Sequence, residues 1–173
     1  VTNIIATFKL KVERCNYIGN AYETEDGYNT KYDEYEDCVN SLYRKYPDNL
    51  KVIQLKARNT YSDSLRIVLD KANDIITFGK NLEKDDVYDV LISQARDYKN
   101  NGEDFLAKTK YEKSLKYNDS IDNSIMGAEI YISINNKEKA KAELLRKIDA
   151  DTTLWRLNQK ARLLIDLEVF DEA

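Results

Sequence analysis

Apolar residues recur at three- and four-residue steps along almost the whole chain, the spacing of one face of an α-helix. Ile4, Phe8, Val12, Cys15, Ile18, Gly19 and Tyr22 form the first stripe. A second helix is predicted from about Lys31 to Tyr46. It must stop before Pro47-Asp48-Asn49, because proline disfavours helix at the residue before it. Leu50, Ile53, Leu55 and Ala57 open a third helix. Leu65, Val68, Leu69, Ala72, Ile75 and Ile76 mark a fourth, the cleanest amphipathic stripe in the chain. Asp85-Asp86 reads as the cap of a fifth helix starting at Val87. Breaks follow at Asn100-Asn101-Gly102, Asn118-Asp119-Ser120, Asn135-Asn136 and Asp149 to Thr152. Each is short and polar, as helix hairpins require. Nothing reads as a linker, so residues 1–173 are expected to form one all-α domain.

Small residues recur in the middle of alternate helices. Gly19, Ala57 and Ala95 are spaced by 38 residues, and Ala95, Ala128 and Ala161 by 33. Three residues after each stand Tyr22, Thr60, Tyr98, Tyr131 and Leu164. Ala107, Ala140 and Ala173 follow the last three small residues at a distance of 12. The large residues Tyr111 and Leu144 come one turn beyond Ala107 and Ala140. Two helices approach closely only where one offers a small side chain at the crossing. A bulky residue a turn further on then fills the space between neighbouring pairs. Ala95 is therefore expected at a tight crossing.

A helix pair repeating about every 34 residues in this way resembles the tetratricopeptide repeat. The fullest copy is Leu91 to Ser114, LISQARDYKNNGEDFLAKTKYEKS. It has the family's small-then-Tyr first helix, its Gly in the turn and its Ala-then-aromatic second helix. Gly127-Ala128-Glu129-Ile130-Tyr131 and Ala161 to Ala173 carry plainer copies. The resemblance divides the chain into irregular pairs over 1–86, repeats over 87–120 and 121–153, and a partial repeat over 154–173. The first half fits less closely, because Gly19 lies four residues too far upstream of the second helix. The resemblance implies antiparallel helix pairs stacked as a right-handed α-solenoid. It also implies a concave groove, lined mostly by first helices, that binds a protein or peptide segment. The family's groove positions fall here on Gln54, Arg58 and Tyr61; on Ile92, Arg96 and Lys99; on Ile125, Glu129 and Ile132; and on Asn158, Arg162 and Ile165. Such a groove is basic with apolar points, which suits an acidic or C-terminal peptide with apolar anchors. One sub-type of the family clamps a terminal carboxylate with a Lys–Asn pair one turn apart. The corresponding pairs here are Gln54 with Arg58, Ile92 with Arg96 and Ile125 with Glu129, so that co-chaperone role is disfavoured.

Composition narrows the classes further. One Pro and five Gly in 173 residues suit helices better than the many turns of a sheet protein. The net charge of −4 argues against nucleic acid as a partner, since phosphate binding rests on Lys and Arg. Lys137, Lys139 and Lys141 are interleaved with Glu138 and Glu143 and read as a solvated helix face. There is no histidine. That removes the usual general acid–base residue and the commonest metal ligand. No glycine-rich loop or nucleophile–base pair is present, so the chain is read as a non-enzyme without a cofactor. Cys15 and Cys38 each fall in an apolar stripe. Buried free thiols are the favoured reading, with a single bridge as the alternative.

Of the 13 tyrosines, Tyr22, Tyr28, Tyr32, Tyr35, Tyr43 and Tyr46 form a cluster in the first half, and they read chiefly as fillers between helices. No apolar run is long enough to cross a bilayer. Val1-Thr2-Asn3-Ile4-Ile5 lacks a basic lead-in, so the expected location is the cytoplasm unless a leader stood upstream. The last pair reads as unfinished. Leu163, Leu164 and Leu167 are expected at a partly exposed edge that further chain or a second copy covers. The functional expectation is a non-catalytic binding scaffold. The alternatives are a structural segment of a longer or self-associating solenoid, or the non-catalytic part of a larger enzyme or regulator.

Overall fold

The computed structural model describes residues 8–18, 30–60, 63–118, 120–146 and 151–167. Among these residues the regular structure is helical and no strand occurs. Residues 8–18 form α1. Then come α2 (Thr30–Lys45), α3 (Leu50–Arg58), α4 (Asp63–Phe78), α5 (Lys84–Asn100) and α6 (Asp104–Ser114). A 3-10 turn (Ile121–Asn123) leads into α7 (Ser124–Ser133), followed by α8 (Lys137–Leu145) and α9 (Leu154–Asp166).

The breaks have local causes. Pro47 stands between α2 and α3, and Asn49 caps α3 by accepting the Val52 N–H at 3.2 Å. Gly102, at φ 74°, reverses the chain between α5 and α6 in the left-handed region that glycine tolerates. Asn135 does the same between α7 and α8, at φ 57°. Asn136 beside it caps α8, accepting the Lys139 N–H at 3.1 Å. One boundary differs from expectation. Helix α5 begins at Lys84 with Glu83 at its N-cap, so Asp85 and Asp86 lie inside the first turn. There they complement the positive end of the helix dipole instead of capping it.

The chain divides into two compact units, Val1–Leu82 and Glu83–Ala173. In the first, α3 packs on both α2 and α4. Val12 and Cys15 of α1 join Val39 and Leu42 of α2 and Val52 and Leu55 of α3 in one buried cluster. Tyr35, Tyr43 and Tyr46 pack against it, with Phe8 meeting Tyr46 edge-on at 5.1 Å between ring centres. These tyrosines fill space between helices; Tyr22 and Tyr28 lie outside the described residues. Cys15 and Cys38 are not free thiols. They form a disulfide from α1 to α2, with Cα atoms 5.7 Å apart. Helical spacing placed each cysteine on an apolar face, but only the docking of α1 on α2 brings the two faces together.

In the second unit α5 packs on α6, α6 on α7, α7 on α8, and α9 on both α7 and α8. Ala95, Ala107, Ala128 and Ala140 are fully buried in a single cluster with Tyr111, Tyr131, Leu144 and Leu164. Tyr98 packs against the same cluster. The recurring small and large positions of the sequence, from Ala95 to Leu144, thus meet in one core. The register shifts in α9. Ala161 is only half-buried, and Lys160 beside it is the fully buried residue. Of the expected apolar edge, Leu163 is partly exposed, but Leu164 and Leu167 are not. Leu164 and Leu167 belong to the core, and Leu163 packs against it, because α7 and α8 cover that face of α9. Gly19 and the residues after Leu167, Ala173 among them, lie outside the described residues.

Candidate functional site

The groove positions fall into three kinds of environment. Gln54 and Ile92 are each 6% exposed, so neither offers surface to a partner. Ile132 is partly buried against the second unit's core, and Ile125 is partly buried on α7. Arg58, Arg96, Asn158, Arg162 and Ile165 are exposed. Tyr61 lies outside the described residues. Ile92, Ile125 and Ile132 therefore serve mainly as packing, while Arg58, Arg96 and Arg162 stay in solvent.

Three of the positions come together where α5 meets α7. Lys99 pairs with Glu129 at 2.7 Å. One turn earlier, Arg96 donates to the Asn123 side-chain oxygen at 3.4 Å. Asn123 in turn donates to the Tyr88 hydroxyl at 3.0 Å. Glu129 offsets the charge of Lys99, so this edge is less basic than a residue count suggests. Arg96 stays exposed at this edge, and Arg162 is exposed on α9.

Two polar clusters were not singled out from sequence. In the first, the Tyr111 hydroxyl donates to Glu143 at 2.7 Å, and Arg146 donates to the same carboxylate at 2.9 Å. Arg146 also donates to the Tyr111 hydroxyl and to the Ser120 carbonyl, both at 3.2 Å. Burial pushes the Tyr111 phenol up, and the Glu143 charge pushes it further. Beside it, Tyr131 donates to Glu112 at 3.0 Å, and Lys139 donates to the same oxygen at 2.8 Å. Tyr131 is likewise raised, by burial first and then by Glu112. Glu112 is raised by desolvation but lowered more by Lys139 and Tyr131, so its carboxyl sits below the usual range.

The second cluster is at the start of α9. Asp151 accepts from the Thr153 N–H at 3.2 Å and from Arg156 at 3.0 Å, and pairs with Lys160 at 3.1 Å. The side chains of Asp151 and Lys160 are both fully buried. Desolvation raises the Asp151 carboxyl, but Arg156, Thr153 and Lys160 outweigh it and hold it below the ordinary value. The Lys160 contact is an ion pair without hydrogen-bond alignment. In both clusters each carboxylate already has its cation and its donors. These are fastenings of the fold with no free acid or base. The sequence signals were weak: Glu143 next to the core residue Leu144, and Lys160 next to the expected small slot.

A cleft of about 510 Å³ opens between α1 and α2, lined by Lys11, Arg14, Glu34, Asp37, Cys38 and Leu42, among others. Among the described residues no group of three or more His, Cys, Asp or Glu side chains could hold a metal ion. No helix among them is long and apolar enough to cross a membrane. The chain matches no protein-family model, no curated protein and no solved structure.

Proposed function

We propose that this chain is a non-catalytic scaffold that binds a protein or peptide along the first helices of stacked, tetratricopeptide-like pairs. The observation that carries the reading is the shared core of the second unit. Ala95 and Ala128, Ala107 and Ala140, and Tyr111 and Leu144 occupy equivalent repeat positions and all are fully buried together. Two pairs locked in the same register turn the same helix faces outward. In the second unit the exposed cations among the groove positions are Arg96 on α5 and, outside the two pairs, Arg162 on α9. They suit an acidic segment, with the partly buried Ile125 on α7 as a candidate apolar point.

The test is selection from a random peptide display library on the intact chain, followed by titration calorimetry of the selected peptides. Acidic peptides should be enriched, and Arg96→Glu with Arg162→Glu should weaken them at least about tenfold, the effect of a like charge facing the ligand. If no acidic peptide is enriched, or if the double variant binds as the parent does, the reading fails.

A second reading, self-association, is favoured by Leu154 at 72% and Trp155 at 65% exposure, adjacent at the start of α9. Exposed large apolar pairs mark missing contacts more often than scattered single residues do. Light scattering at two concentrations separates the readings: a mass that stays monomeric sinks the second.

A further inference from the structure

The α1–α2 cleft and the disulfide share a wall. Cys38 lines the cleft and is partly exposed, whereas Cys15 is fully buried in the first unit's core. Thiol–disulfide exchange needs a thiolate to reach one sulfur, and access decides which one. We propose that the Cys15–Cys38 bridge is a thiol-exchange site, entered through this cleft, at which a small zwitterionic monothiol adds to Cys38.

The cleft, at about 510 Å³, is within the size range of small-molecule sites. Its walls carry two cations, Lys11 and Arg14, and two carboxylates, Glu34 and Asp37. Carboxylates of the incoming thiol meet the first pair and its ammonium meets the second. Leu42 and Ile18 give the apolar surface between them. Glutathione has this combination of groups and is the probe of choice.

The step balances without another reagent. The monothiol, as its thiolate, forms a bond to Cys38 Sγ. The electron pair of the Cys15–Cys38 bond leaves on Cys15 Sγ, which takes a proton from solvent. A second monothiol then attacks the outer sulfur of the mixed disulfide. It leaves Cys38 as a thiol and the two monothiols joined as their disulfide. The protein gains two electrons and the two monothiols lose them. The result unties α1 from α2, whose contact covers Val39 and Leu42.

The test is regiochemistry on the folded protein. Intact chain is incubated with reduced glutathione under native conditions, quenched with acid at early times and mapped by mass spectrometry. The first adduct should be on Cys38, with Cys15 free. In parallel, Cys15→Ser and Cys38→Ser, each checked for retained helix by circular dichroism, are treated with oxidised glutathione. The Cys38 of the first variant should react at least about tenfold faster than the Cys15 of the second, reflecting access. A first adduct on Cys15, equal adducts on both, or no reaction below the denaturant concentration that unfolds the chain would each overturn the proposal. The mapping of the intact chain decides the matter even if either variant fails to fold.

Discussion

The ring of Tyr111 occupies the space that a Cβ on Gly127 would need: the nearest atoms to that position are Tyr111 Cζ, Oη and Cε1. The ring is fully buried and its hydroxyl is tied to Glu143 and Arg146, so it cannot swing aside cheaply. α6 and α7 therefore approach at a glycine, one residue before the small slot at Ala128. Glycine in a helix interior ordinarily costs about 0.5–1 kcal/mol relative to alanine, so Gly127→Ala would stabilise an open helix. Here the overpacking cost of about 1–3 kcal/mol should dominate. Denaturant melts should show Gly127→Ala less stable than the parent. A gain in stability would mean that Tyr111 does not lie over Gly127.

Tyr111→Phe tests the same network from the other side. It keeps the ring over Gly127 and removes a hydrogen bond to a buried carboxylate, a loss of about 1.5–3 kcal/mol. The phenol should also make the fold sensitive to alkali. Its pKa is raised in the fold above the ordinary 10.0, chiefly by burial. The neutral form is the one the fold favours, so that stabilisation is whole below about pH 10 and is lost as pH rises beyond it. Tyr131 acts in the same direction. Stability measured from pH 8 to 11 should fall more steeply in the parent than in Tyr111→Phe. Parallel curves would rule out this role for the hydroxyl.

Asp151 should govern the acid limb. Its folded pKa lies below the ordinary value of 3.8, so the carboxylate's contribution is present above that value. It is lost as pH falls through the lower folded value. Asp151→Asn leaves the fully buried Lys160 without its counter-charge, at a cost on the order of 3 kcal/mol. Lys160→Met should cost less, because Asp151 keeps Arg156 and the Thr153 N–H. Urea melts at pH 7 and pH 3 give both results. If Lys160→Met is the more damaging change, the pair does not hold the start of α9 in this way.

The helices themselves were legible because their signals are local. Pro47 and Asn49 end one helix and cap the next within a few residues, and Asn135-Asn136 does the same. Ala95, Ala107, Ala128 and Ala140 were legible for a different reason. A close crossing accepts only a small side chain, so it leaves a mark in the sequence. The candidate groove was less legible. Spacing places Ile92 and Arg96 one turn apart on the same helix, but it does not say that Ile92 is 6% exposed while Arg96 lies in solvent. Its exposure depends on how α5 packs against its neighbours, which a single helix's period does not encode.

From its residues alone, then, this chain is determined to be helical, with breaks at defined polar turns and small-residue positions that recur along its second half. Those features follow from backbone sterics, capping and side-chain volume, all of which act over a few residues. Tertiary structure decided what joins across elements. Cys15 meets Cys38, Tyr111 meets Glu143 and Gly127, and Asp151 meets Lys160. It also turned Leu164 and Leu167 from an expected open edge into core. Each of these depends on the angle and rotation at which two helices dock. Many side chains share in setting that geometry, and no short stretch of sequence specifies it.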